Sequence, residues 1–168
     1  MQTVLSGPET KTMTHYLRSR HDAIMVGIGT AKADNPGLCT RYSEDEKKVV
    51  GLERQPRPFV LDPRGRWRVE DTPKLFGLVG SGEGRAPWWI TELGGKDPNL
   101  DLGVRTRIEE LGGGIIDTGK YNSRGEGVDW ETVLRGMAQN GIKSVMIEGG
   151  GAVSIPFLHF YSQLGYKV

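Results

Sequence analysis

The chain is poor in the signals that mark secreted, metal-bound or nucleic-acid-bound proteins. Cysteine occurs once, as Cys39, so no disulfide can form within the chain and a reducing, cytoplasmic setting is expected. His15, His21 and His159 show no metal-ligand spacing with one another or with Cys39, and HExxH and CxxC are both missing, so no metal is expected. Charge of one sign is not in excess: 22 basic against 21 acidic side chains leave a net +1. That balance removes the electrostatic argument for nucleic acid or a membrane surface as partner. No apolar run approaches the roughly 18 to 20 residues of a membrane span. The opening MQTVLSGPET lacks the basic start and apolar middle of a signal peptide. The dinucleotide pattern GxGxxG fails as well. Counted from Gly27 its sixth position is Lys32, counted from Gly149 it is Ser154, and the P-loop pattern is absent. A standard Rossmann domain is therefore disfavoured.

What remains is an ordinary globular composition. Hydrophobic residues make up 36% and charged residues 26% of 168 positions, enough for one core and one domain over residues 1–168. Glycine, at 25 residues, is the unusual count. Short continuous apolar runs predict strands at AIMVGI (Ala23–Ile28), PFVLD (Pro58–Asp62), LFGLV (Leu75–Val79), WWIT (Trp88–Thr91), GIID (Gly114–Asp117) and SVMIE (Ser144–Glu148). The first and last of these read as buried on both faces. Ser6, Pro8 and Glu9 form a helix-start signature, with Met13, Tyr16, Leu17 and Arg20 following at helical spacing. A helix is expected over Leu100–Leu111. The clearest one starts at Asp129, carries Trp130, Val133, Leu134 and Met137 on one face, and ends at Gly141. Strands alternating with helices imply an α/β fold with a mostly parallel sheet flanked by helices.

Two strand ends carry small residues where a ligand would bind in such a sheet: VGIGTAKAD after the first strand and IEGGGAV after the last. Three successive glycines let backbone N–H groups approach a phosphate, and a helix beginning at Ala152 would add its positive end. A tight turn with no ligand explains the same spacing equally well. Pro156 would interrupt such a helix unless it lay in the first turn. Arg18 and Arg41 flank the first of these ends, and a guanidinium suits a phosphate because its planar fork donates two hydrogen bonds at once. Glu148 follows the apolar SVMI, where an acid must be paired or used. Asp62, beside Pro63–Gly65, reads as capping that turn.

Three blocks, TKTMTHYLRSRHDAIMVGIGTAKADNPGLCTR, RQPRPFVLDPRGR and IKSVMIEGGGAV, resemble in order and spacing a known family. It comprises the fungal and archaeal 2,5-diamino-6-ribosylamino-4(3H)-pyrimidinone 5′-phosphate reductases of riboflavin biosynthesis, and the reductase half of the bacterial bifunctional deaminase-reductase. The resemblance runs from about Leu5 to Val153 and is loose between Val69 and Val128, and residues 154–168 form a divergent tail. It implies a dihydrofolate-reductase-like fold, an NADPH cofactor, a phosphorylated pyrimidine substrate and a homodimer. It places Thr30, Asp34 and the segment Gly149, Gly150, Gly151, Ala152 and Val153 against the cofactor. Arg18, Leu38, Arg41 and Glu148 would face the substrate, with Glu148 the one candidate for a catalytic role. Relatives carry an additional strand before the position of Gln2 and further elements after Val153, so the sheet is expected to be incomplete. Two other readings stay open beside the reductase: a non-catalytic nucleotide-binding remnant, and a dihydrofolate-type reductase.

Overall fold

The computed structural model describes residues 8–41, 50–92, 102–119 and 128–164. The helix-start signal at Ser6 lies outside these residues. Within them the chain alternates strands and helices: α1 (Pro8–Ser19), β1 (Ala23–Gly27), α2 (Ile28–Asp34), β2 (Arg57–Leu61), α3 (Pro73–Gly80), β3 (Trp88–Thr91), α4 (Leu102–Glu110), β4 (Gly114–Asp117), α5 (Trp130–Gln139), β5 (Val145–Ile147) and α6 (Gly151–Gln163). The five strands form one sheet in the order β4-β3-β2-β1-β5, and every neighbouring pair is parallel.

Alternation along the strands divides the core into two layers. Ile24, Val26, Val60 and Trp89 point to one face, where they meet Ile28 and Ala31 of α2, Leu75 and Phe76 of α3, and Val104 and Ile108 of α4. Ala23, Met25, Phe59, Leu61 and Ile90 point to the other, against Trp130, Val133 and Met137 of α5 and Val153 of α6. All five residues of β1 are buried, as a strand covered on both faces requires.

Four expectations are corrected by the structure. LFGLV is not a strand but the body of α3, with Pro73 in its first turn and Leu75, Phe76 and Leu78 buried. A five-residue apolar run carries no period, so Thr72-Pro73 was the informative signal. The segment after β1 is a short helix, Ile28–Asp34, rather than an open turn. β5 is an edge strand whose residues are only half-buried, since among the described residues it pairs with β1 alone. Finally, α6 runs straight through Pro156. The lost hydrogen bond and ring clash cost about 3 kcal/mol. Val153, Phe157 and Phe160 stand on one face of the helix and pack into the second layer, with Phe157 edge-on to Trp130 at 5.1 Å. Buried Val153 contributes about 1.5 to 3 kcal/mol and each partly buried phenylalanine a fraction of such a figure, so together they offset the proline.

The helix expected from Asp129 is present, and its cap is made as the sequence implies: Asp129 accepts from the Thr132 amide at 3.2 Å and from its hydroxyl at 2.7 Å. Asp62 also caps its turn, accepting from the Trp67 amide at 2.8 Å, and burial pushes its pKa up.

One side chain pins the register of β1 and β5. Asp22 accepts from the amides of Lys143 (2.8 Å) and Ser144 (3.0 Å), just before β5, while its own carbonyl accepts from Arg57 at 2.8 Å. The bonds from Lys143 and Ser144 hold its pKa below the ordinary 3.8. A depressed carboxylate stabilises the fold fully above its unfolded pKa and ceases to do so as pH falls through the folded one. Asp22→Asn should therefore lower the thermal midpoint at neutral pH, and its deficit against the unmodified chain should shrink below pH 3.8. Thermal melts of both proteins across that range check this; a deficit independent of pH would mean the charge is not what matters.

Candidate functional site

The chain builds the sheet outward from β1 through β2 and β3 to β4, then returns to place β5 on the other side of β1. That reversal falls between β1 and β5, and the crevice expected at their carboxyl ends is the position where open parallel sheets receive ligands. The two glycine-bearing segments meet there. A Cβ on Gly149 would stand 2.9 Å from the Thr30 hydroxyl oxygen, and one on Gly27 would stand 2.7 Å from Val153 Cγ2. Both would have to displace what they meet. Gly149 also has φ +113°, a backbone conformation that side chains resist. Gly150 differs: its φ of −70° and ψ of 170° are ordinary, and a Cβ there would meet nothing within 4 Å. It is the N-cap of α6, and no side chain caps that end. The first N–H groups of this helix therefore face outward with its positive end behind them.

Beside this crevice lies an ion pair joining the two ends of the chain. Arg18, in the last turn of α1, donates to Glu148 through Nε at 2.7 Å and Nη2 at 2.6 Å. Its Nη1 donates to the carbonyl of Cys39 at 3.2 Å. The fork is thus shared between the end of β5 and the segment leading to Arg41. The pair is largely covered, with 15% and 20% of the side chains exposed. The acid after SVMI is paired, as its position demanded.

The Leu38–Arg41 segment is held by residues that carry no motif. Gln55, buried, accepts from the Thr40 amide at 2.7 Å and donates to the Thr40 carbonyl at 3.0 Å. His15 Nδ1 accepts from the Arg41 amide at 3.2 Å. Only their contacts reveal them; a lone Gln or His gives no sequence signal. The Arg41 side chain has no hydrogen bond or ion pair among the described residues.

Two expected contacts, Leu38 and Val153, take a different form from the one expected. Leu38 is buried in the first core layer with φ +50°, so its side chain is unavailable and only its backbone can face a ligand. Val153 is 5% exposed and packs in the second layer, so it too offers backbone alone. Asp34 ends α2 as an exposed residue, and the next residue, Asn35, closes that helix in the left-handed conformation while accepting from Lys74 at 3.2 Å. Gly149, Gly150, Gly151 and Ala152 are exposed, and Thr30 is half-buried. At the end of β3, Glu92 is 6% exposed, and burial followed by the charge of Asp129 pushes its pKa up.

Comparison with known proteins supplies the relatives of this arrangement. A family model described as the RibD C-terminal domain matches residues 1–159. The 2,5-diamino-6-ribosylamino-4(3H)-pyrimidinone 5′-phosphate reductase of Debaryomyces hansenii is 36% identical over 163 residues, covering 97% of this chain and 62% of that protein. The Kluyveromyces lactis protein of the same name is 40% identical over 155 residues, covering 90% of this chain and 56% of its own length. A solved structure of the Saccharomyces cerevisiae riboflavin biosynthesis reductase superposes with a TM-score of 0.65 at 31% identity, covering 87% of this chain and 56% of that one. Acinetobacter baumannii RibD, at 21% identity and a TM-score of 0.65, shares the fold. The chain thus spans 56% to 62% of the length of these curated relatives.

The Arg18–Glu148 pair should be strongly coupled. Replacing either residue by alanine strands the other in a largely covered position and should cost about 2 kcal/mol. Replacing both should cost less than the sum, with a coupling of about 1 to 2 kcal/mol. A double-mutant cycle by urea unfolding measures this, and additive losses would show that the two side chains act independently.

Proposed function

The chain belongs to the RibD C-terminal domain family, and from that membership we propose that it is an NADPH-dependent reductase. Its substrate would be 2,5-diamino-6-ribosylamino-4(3H)-pyrimidinone 5′-phosphate, whose ribosylamino side chain is reduced to the ribitylamino form. The fold, a parallel sheet with helices on both faces, is the dihydrofolate-reductase-like arrangement of its structural neighbours. The observation that carries the proposal is the meeting of Thr30 with Gly149 beside an uncapped helix end, within a site that also holds Arg18 and Glu148.

The residues present fit a dinucleotide phosphate. Gly150 leaves open space where a side chain would otherwise stand, and the outward N–H groups of Gly151 and Ala152 with the dipole of α6 suit an anion. Thr30 lines the opposite side, and Asp34 stands one helix length away on α2. Bound NADPH supplies the hydride. The protein's share is placement: holding cofactor and substrate in one crevice supplies much of the acceleration. Arg41, whose guanidinium has no partner among the described residues, is assigned to the substrate 5′-phosphate. Glu148, fixed by the two bonds from Arg18, is assigned to the pyrimidine amino groups, which can donate to its remaining lone pairs. The backbone of Leu38 completes the substrate side. No helix among the described residues is long and apolar enough to cross a membrane. A single domain, a cytoplasmic location and a homodimer complete the proposal. The half-buried edge of β5 is one place where a second copy could pair.

Oxidation of NADPH, followed by its absorbance in the presence of the ribosylamino substrate, tests the activity. Turnover is expected with that substrate and none with dihydrofolate; the reverse would make this a dihydrofolate-type reductase, and binding without turnover would leave a nucleotide-binding domain alone. Arg41→Ala should weaken substrate by about ten- to a hundredfold, the equivalent of about 1.5 to 3 kcal/mol, with cofactor affinity unchanged. An equal loss for an analogue lacking the phosphate would remove Arg41 from that role.

Gly150→Asp separates a ligand cradle from a plain turn. Asp is a favoured N-cap, the backbone there is unstrained and the space is open, so the thermal midpoint should hold or rise. The new negative charge at the helix end should weaken NADPH at least tenfold. If NADPH binds this variant as well as it binds the unmodified chain, the cofactor phosphates lie elsewhere.

A further inference from the structure

A cleft lies at the opposite, amino-terminal end of the sheet. The segments entering β2, β3 and β4 line this open cleft of about 670 Å³. Arg57 and Arg85 both line it. Arg57 is the first residue of β2 and is half-buried; its Nη1 donates to the Ala86 carbonyl at 2.9 Å, which fixes the guanidinium at the cleft wall. Among the described residues neither arginine forms a salt bridge. Two guanidinium groups thus line one cleft with no ion-pair partner among the described residues, an arrangement that an anion would relieve. Burial, then the charge of Arg85, lowers the pKa of Arg57.

The remaining lining defines the rest of a ligand. Leu52, Val79 and Leu111 supply apolar walls. Glu53, the one acid in the lining, leaves the cleft with an excess positive charge. We propose that this cleft is a second small-molecule site, separate from the crevice at β1 and β5, for a phosphate monoester with an apolar or planar organic part. The phosphate dianion lies between Arg57 and Arg85, where a guanidinium fork donates paired hydrogen bonds. The organic part lies against Leu52, Val79 and Leu111, and Glu53 accepts from any hydroxyl or amino group it carries. The volume is within the range of sites that enclose small ligands.

Phenyl phosphate is the probe, titrated calorimetrically into the full chain with phenol as its uncharged counterpart. Binding is expected for phenyl phosphate and at least tenfold weaker for phenol. Arg85→Glu should weaken phenyl phosphate at least tenfold while leaving the thermal midpoint near that of the unmodified chain, because the Arg85 side chain makes no hydrogen bond or ion pair among the described residues. Arg85→Gln should act in the same direction by a smaller factor and serves if the reversed charge disturbs folding. Gly150→Asp, at the other end of the sheet, should leave phenyl phosphate affinity unchanged. The proposal is overturned if the unmodified chain fails to bind the probe, if phenol binds equally well, or if neither Arg85 variant loses affinity. It is likewise overturned if Gly150→Asp abolishes binding while Arg85→Glu retains it, since the probe would then occupy the crevice at the start of α6.

Discussion

The pairing of β1 with strands on both sides is the constraint on which the rest of this molecule depends. β1 bonds to β2 over five residues and to β5 over three, and those partners, both later in the chain, lie on opposite sides of it in the sheet. A strand so placed must be apolar on both faces, which Ala23 to Val26 satisfy. It also forces two chain segments, one after β1 and one after β5, to leave the sheet at the same end and side by side. Thr30 meets Gly149 because of that topology. The crevice is thus a consequence of strand order, and the side chains within it refine a position the backbone has already created.

The ion pair of Arg18 and Glu148 is the principal polar connection across this crevice, and its value lies more in geometry than in net stability. Desolvating two charges costs several kcal/mol per ion, and their attraction largely offsets that cost only when the hydrogen bonds are well formed. Here two short bonds to Glu148 and a third to Cys39 satisfy most of the guanidinium. What the arrangement secures is orientation: α1, the end of β5 and the segment toward Arg41 are fixed relative to one another. Gln55 repeats the principle without charge, clamping Thr40 through its amide and carbonyl. A ligand approaching from solvent therefore meets a carboxylate and a backbone segment already held in place, which lowers the entropy lost on binding.

How much of this was legible in the sequence follows from which interactions are local. β1, β2, β3, β4 and α5 could be read because apolar runs, turn residues and the Asp129 cap lie within a few positions of one another. The sheet's parallel character followed from the alternation of elements. α3 misled because LFGLV carries no periodicity of its own; its helical state depends on burying Leu75 and Phe76 in the layer of Trp67 and β1, with Leu78 also buried. Pro156 misled for a similar reason, since tertiary burial of Val153, Phe157 and Phe160 offsets a local penalty. At the site, residue types and the strand-end position pointed to Arg18 and Glu148, but their pairing spans 130 positions and leaves no local trace. Gln55 and His15 were invisible for the same reason. Leu38 was found by resemblance, but its burial and positive φ emerge only from the packed core.

The glycine run shows how structure separates two causes that sequence merges. Gly149 is required by the polypeptide itself: its φ of +113° disfavours a side chain, and Thr30 occupies the space a Cβ would need. Gly27 has an ordinary φ of −75° and is constrained only by the Val153 side chain its Cβ would meet. Gly151 is constrained more softly, by the flexible end of Ile155 at 2.8 Å from where a Cβ would stand. None of these arguments applies to Gly150. Its backbone is extended, its surroundings are open, and as an N-cap it would be better served by Ser, Asp or Asn, whose side chains can accept from the first turn of α6. The chain instead leaves that helix end bare. Folding alone gives no reason for glycine there, whereas an anion resting on the N–H groups of α6 does: a capping side chain would compete for the same donors and fill the same space. The least constrained glycine of the three is therefore the one that argues most directly for a ligand.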